Sequence, residues 1–138
     1  MDKDNYKQLI YVFYVYKNIK TIEDVKNNII YRIHVANLKK IYSVFDKITF
    51  IISLDDLSQK KLIYDIKEFF TDIFKDKKVN FIVEQNIPKE REGHCFYKYV
   101  ICNFENLRGN VFYAHSKRNN KYRKWIRYSI MDNINVLF

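Results

Sequence analysis

Residues 9–16 read LIYVFYVY, an unbroken run of apolar, β-branched and aromatic side chains. A strand with one solvated face alternates apolar with polar residues, whereas this run contains no charged position. It therefore predicts a strand that is buried on both faces, as in a parallel sheet covered by helices on each side.

Three further strand-like runs follow, and helical patterns separate them. Strands are predicted at 48–54, 79–83 and 111–114, and helices at 24–45, 57–74, 90–107 and from about 122. Strands that alternate with helices of this length are typical of a mostly parallel sheet with helices on both faces. The sequence thus predicts an α/β, Rossmann-like fold, with residues 1–138 forming a single domain.

The composition excludes several classes of protein. Two glycines and one proline leave no glycine-rich phosphate loop and too few turn residues for a many-stranded β-sandwich. No apolar run approaches the ~20 residues of a membrane span, and the first residues lack a signal-peptide pattern. Cys95 and Cys102 are interpreted as reduced core cysteines of one helix, so we expect a cytoplasmic protein.

The net charge of +9 favours an anionic partner, although a Lys-, Asn-, Ile- and Tyr-rich bias of composition explains the charge equally well. The densest basic stretch is KRNNKYRK at 117–124. With Tyr122 and Trp125 beside the cations, it could contact phosphates and stack on bases. A basic nucleic-acid-binding module is therefore one alternative. The apolar tail at 134–138 suggests another, a non-catalytic interaction protein that forms an oligomer through its carboxyl terminus.

Polar residues follow each predicted strand. The predicted strand tips are Tyr16-Lys17, Asp55-Asp56, Glu84-Gln85 and His115-Ser116-Lys117. Parallel strands end at one edge of their sheet, where α/β proteins bind ligands. Carboxylates and cations at one edge suit a phosphorylated ligand, and ordinary solvated strand tips are the alternative.

Two of these strand tips carry side chains that suit particular ligands. Asp55 and Asp56 suit a ribose hydroxyl, a divalent cation or the N-cap of the next helix, and we expect capping by at least one of them. His115 and Lys117 alternate on a strand and therefore face the same side, where they suit a diphosphate. A half-buried histidine beside a surface lysine is the alternative.

The segment VFYAHSK at 111–117, with Trp125 after it, resembles a pattern of certain viral and bacterial GT-A-type glycosyltransferases. That pattern is aromatic-x-His-[Ser/Thr/Asn]-Lys-Gly followed by Trp. The similarity extends to residues 38–46 and 48–56 and to the order of elements, so it covers most of the chain. It implies a domain that binds a nucleoside diphosphate sugar for transfer to a hydroxyl of a glycan acceptor, with Mn²⁺ or Mg²⁺ as the expected metal.

The resemblance also implies roles for residues. GT-A enzymes typically hold their metal through an Asp-x-Asp pair after the fourth strand, where this chain has His115-Ser116-Lys117. Lys117 with His115 would therefore replace or assist the metal. Asp55-Asp56 would contact the nucleoside or a cation, and Tyr16-Lys17 the base or ribose.

The chain departs from the family pattern in two ways. Arg118 stands where the pattern has glycine, which restricts the backbone beside a phosphate. GT-A domains also run well beyond 138 residues, and their acceptor site and catalytic base lie in the later half. We therefore expect a donor-binding half that is incomplete at its carboxyl terminus, inactive alone and without an assigned catalytic base.

Overall fold

The computed structural model describes residues 5–75, 77–86 and 91–116, and only the backbone of 91–93. Its elements are β1 (Lys7–Tyr14), α1 (Ile22–Asn27), α2 (Ile29–Ile41), β2 (Lys47–Leu54), α3 (Lys60–Phe74), β3 (Val79–Gln85), α4 (Arg91–Cys102) and β4 (Asn110–His115). Short 3₁₀ turns, Tyr42–Val44 and Phe104–Asn106, follow α2 and α4. The predicted helix from about 122 lies outside the described residues. None of the described helices is both long and apolar enough to cross a membrane.

The four strands form one parallel sheet in the order β3-β2-β1-β4, which confirms the predicted α/β fold. Strand β1 lies inside the sheet and pairs with β2 on one edge and with β4 on the other. The chain builds outward from β1 to β3 and then returns to the opposite side of β1 for β4. The strand order therefore reverses between β1 and β4, which is a topological switch point.

Helices cover both faces of the sheet, as predicted. Leu9, Tyr11 and Phe13 of β1 belong to the larger core, which packs under α1, α2 and α3. Ile10 and Val12 belong to a smaller core that packs under α4. All five side chains are essentially inaccessible to solvent. Burial on alternating faces explains why the run at 9–16 shows no polar alternation.

The predicted helix at 24–45 is in fact two helices that meet at Asn28. The backbone of Asn28 is extended, and its Oδ1 accepts hydrogen bonds from the N–H groups of Ile30 and Tyr31 at 2.9 and 3.1 Å. Asparagine is a favoured N-cap because its side chain satisfies the free N–H groups of a helix start. The apolar spacing continues through the break, so periodicity alone predicts one helix.

Two other boundaries differ from the prediction. Helix α3 begins at Lys60 rather than 57, because a turn held by Asp56 precedes it: Asp56 Oδ1 accepts from the N–H and hydroxyl of Ser58 at 2.9 and 2.6 Å. Helix α4 ends at Cys102, which is exposed, whereas Cys95 is buried. The interpretation of both cysteines as core residues is therefore wrong for Cys102.

The turn into β4 depends on Gly109, whose φ is 66°. A Cβ at this position would overlap the carbonyl oxygen of Tyr6. The next residue, Asn110, donates its N–H to that same oxygen at 2.7 Å, which begins the pairing of β4 with β1. Glycine is required here by both the positive φ and the close backbone approach.

Gly109→Ala should therefore destabilise the fold. The strained φ alone costs about 1–3 kcal/mol, and relief of the overlap must shift β4 from β1. We expect the melting temperature measured by circular dichroism to fall by at least about 5 °C. An unchanged melting temperature would contradict this account of the β4 turn.

Candidate functional site

Ser116 directly follows β4 at the switch point between β1 and β4, and it is fully buried. Its Oγ accepts from the N–H of Tyr14 at 2.8 Å, and its own N–H donates to the Val12 carbonyl at 3.0 Å. Its carbonyl accepts from the hydroxyl of Tyr16 at 2.9 Å. Ser116 thus fixes the tip of β4 against β1, and its predicted contact with a ligand stays a prediction.

Tyr31 of α2 also fixes the tip of β1. The Tyr31 hydroxyl donates to the Tyr14 carbonyl at 2.5 Å and accepts from the Tyr16 N–H at 3.0 Å. Its ring stacks on Tyr16, with centroids 5.1 Å apart. Burial raises the pKa of Tyr31 above its ordinary value, so the hydroxyl keeps the proton that it donates.

Two exposed lysines lie in the loop that leaves β1. Residues 16–19 form a turn in which the Ile19 N–H donates to the Tyr16 carbonyl at 3.0 Å. Ile19 is buried and anchors this turn, while Lys17 and Lys20 are exposed. The predicted residues Tyr16 and Lys17 therefore lie together at the carboxyl edge, and the loop presents positive charge there.

The two aspartates after β2 differ in role. Hydrogen bonds from Ser58 hold the pKa of Asp56 below its usual value, and the nearby charge of Lys20 adds to this effect. The N-cap of α3 is Gln59, so the prediction that an aspartate caps this helix is wrong. Asp56 instead closes the turn before the helix. The side chain of Asp55 takes no part in that turn.

Asp55 contacts the tip of β3. Its Oδ1 accepts from Nδ2 of Asn86 at 3.0 Å, and its carbonyl accepts from Nε2 of Gln85 at 3.3 Å. Asn86 is only 7 % exposed. Within the described part of the chain, no donor reaches Asp55 Oδ2 or Asn86 Oδ1, although both oxygens are buried. Buried acceptors are almost always hydrogen-bonded, so this pair indicates a place for a donor or a cation.

The third strand tip lies further along the chain than predicted. Glu84 and Gln85 still belong to β3, and Glu84 Oε2 accepts from Lys98 Nζ of α4 at 2.9 Å. Glu84 therefore faces α4. The predicted tip Glu84-Gln85 includes Gln85, the last residue of β3, and the strand extends two residues beyond the predicted 79–83. Sequence reasoning missed Asn86 as a site residue. The available signal was its position directly after β3, which matches that of Asp55 after β2.

The fourth tip is described only in part. His115 is half-buried, and its ring centroid lies 5.6 Å from that of Tyr113, which itself stacks on Phe96 of α4 at 4.3 Å. His115 therefore lies on the face that α4 covers. Lys117, predicted to share its side, lies outside the described residues, as do the basic stretch at 117–124 and the tail at 134–138.

The described residues offer few ligands for the predicted Mn²⁺ or Mg²⁺. Among residues 5–75, 77–86 and 91–116, no group of three or more His, Cys, Asp or Glu could hold an ion. Asp55 and Asn86 nevertheless offer two oxygens, the ligand type that Mg²⁺ and Mn²⁺ prefer. Mg²⁺ commonly takes one or two protein oxygens and fills its other positions with substrate phosphates and water. Two oxygens do not form a complete metal site among the described residues, so the Mn²⁺ or Mg²⁺ that the resemblance implies stays a prediction.

Comparison of the chain with protein-family models, with curated proteins and with solved structures finds no match.

Tyr31→Phe should loosen the tip of β1. It removes the donor to Tyr14 and the acceptor for the Tyr16 N–H, and a buried group left unsatisfied costs about 1–3 kcal/mol. We expect this loss in urea unfolding and faster amide exchange at Tyr16. Tyr64→Phe is the matched control, because Tyr64 is 62 % exposed and should change stability by less than about 0.5 kcal/mol. Equal effects of the two variants would rule out the proposed role of the hydroxyl.

Proposed function

We propose that the chain binds a nucleoside diphosphate sugar at the carboxyl edge of its sheet, as the donor-binding part of a GT-A-like glycosyltransferase. The observation that carries this proposal is the pair of buried acceptor oxygens on Asp55 and Asn86. They lie at the tips of β2 and β3, and no donor among the described residues reaches them. Ribose hydroxyls and a divalent cation are the two partners that a nucleotide ligand would bring to such oxygens.

The charge of the neighbouring loop supports a phosphorylated ligand. Lys17 and Lys20 are exposed beside the switch point. Exposed ammonium groups at this edge are suited to a diphosphate, and the sheet order leaves the edge between β1 and β4 as the expected binding crevice. In this arrangement the ribose or the cation lies toward Asp55, and the phosphates lie toward Lys17 and the tip of β4.

The reaction would be glycosyl transfer. The bond between the anomeric carbon and the diphosphate oxygen breaks, an acceptor hydroxyl oxygen bonds to that carbon, and the hydroxyl proton passes to a base. The part assigned to this chain is stabilisation of the leaving diphosphate by cations, which include Lys117 with His115 as the sequence predicts. A cation held by Asp55 and Asn86 would neutralise the same developing charge. No catalytic base is assigned.

The experiment is a thermal-shift and calorimetric titration with UDP-, GDP-, ADP- and CDP-sugars, with and without Mn²⁺. We expect one nucleotide class to stabilise the chain, by about 2.7 kcal/mol at a hundredfold excess over Kd. Dependence on Mn²⁺ would assign Asp55 and Asn86 to the cation, and independence would assign them to ribose hydroxyls. Absence of stabilisation by every nucleotide would contradict the proposal.

Substitutions at the carboxyl edge test which residues contact the ligand. Asp55→Asn should remove the Mn²⁺-dependent part of the shift. Lys17→Ala and Lys117→Ala should each weaken binding of the diphosphate, whereas Lys40→Ala, an exposed lysine of α2, is the matched control. Binding that ignores the sugar and the nucleotide class, and falls steeply with salt, would favour the nucleic-acid alternative instead.

A further inference from the structure

A groove runs between the helices of the layer formed by α1, α2 and α3, and it shares no residue with the carboxyl-edge site. It has two lobes, with volumes of about 350 and 520 Å³. Lys26, Lys39 and Phe69 line both lobes, so the lobes lie next to each other. Each volume falls within the range of about 300–1,000 Å³ that is typical of binding sites.

The floor of the groove is apolar. It is formed by Val25, Val35, Ala36, Phe69 and Ile73 from the three helices. Ala36 is exposed and lines the smaller lobe. The ammonium of Lys26 lies 5.8 Å from the centroid of the Phe69 ring and so covers part of that ring.

The walls of the groove are cationic. Its lining includes Lys26, Arg32, Lys39 and Lys75 but only one carboxylate, Asp72. Residues 22–75 as a whole contain nine cationic and eight acidic side chains. The cations in the groove therefore reflect their placement in the fold rather than the general lysine excess of the chain.

The residues that α2 contributes to the groove also combine apolar and cationic side chains. Arg32, Val35, Ala36 and Lys39 follow the i, i+3, i+4, i+7 spacing of one helix face. Two small apolar residues thus lie between two cations about two helical turns apart. A complementary ligand has apolar groups in its centre and negative charges on both sides.

We propose that this groove binds an acidic amphipathic segment of a partner protein, with its apolar side chains on the floor and its carboxylates beside the lysines and Arg32. Grooves between helices commonly take amphipathic helices in this way. Single-stranded nucleic acid fits less well, because bases need open aromatic faces for stacking. Lys26 covers part of the Phe69 ring, and the other aromatic residue of the lining, Tyr42, packs on Phe74 with ring centroids 5.9 Å apart.

The test starts from a library of random 16-residue peptides displayed on phage and selected on the whole chain. We expect the selected peptides to place Asp and Glu around apolar residues, and their Kd to rise with salt. Arg32→Glu combined with Lys39→Glu should weaken their binding at least about tenfold, measured by fluorescence anisotropy. Lys40→Glu combined with Lys60→Glu changes the net charge equally, lies outside the groove lining, and should change Kd less than about twofold.

Ala36→Trp is an independent variant, because it fills the groove without a change of charge. It should weaken the same peptides at least about tenfold, and circular dichroism melts show which variants are folded. Failure to select any peptide would overturn the proposal, as would peptides that bind the groove and control variants equally. Binding of a twenty-residue oligothymidylate that the groove variants abolish and the control retains would assign the groove to nucleic acid and also overturn it.

Discussion

Strand β1 has no side that faces water, and the rest of the structure depends on this constraint. Both of its edges pair with parallel neighbours, and its two faces contribute to separate cores. Parallel neighbours require crossover connections, so helices must cover both faces. The order β3-β2-β1-β4 then leaves the tip of β1 beside the point where the strand order reverses.

The tip of β1 is held by side chains rather than by a glycine-rich loop. Tyr31 and Ser116 together satisfy the N–H and carbonyl of Tyr14 and the N–H of Tyr16. These bonds lie within the protein, so they hold the tip of β1 without any ligand. The start of α1 is likewise satisfied internally, since Asp24 accepts from the N–H groups of Lys20 and Thr21. This loop therefore differs from glycine-rich phosphate loops, which offer their N–H groups to the ligand.

The sequence predicts the strands and the fold class well. Runs such as 9–16 and 48–54 consist mostly of apolar residues because both faces of these strands are buried. Breaks between helices and the exact ends of strands are harder to predict from the sequence. Asn28 interrupts a helix whose apolar spacing continues, and β3 runs on through Glu84 and Gln85 because these residues pair with Ser53 and Leu54 of β2. Asn86 contacts Asp55 only because the sheet places β3 beside β2. Such contacts between distant residues leave no local pattern.

The central claim, that the carboxyl edge binds a nucleotide, is tested most directly by ¹H–¹⁵N NMR titration of the labelled chain with nucleoside diphosphates and Mg²⁺. The account predicts saturable shifts of the amide signals of Lys17, Asp55, Asn86 and His115, which come from all four strand tips. Amide signals of the α2 and α3 residues that line the groove between α1, α2 and α3 should stay unchanged. Shifts confined to that groove, or no saturable shift at any strand tip, would contradict the account.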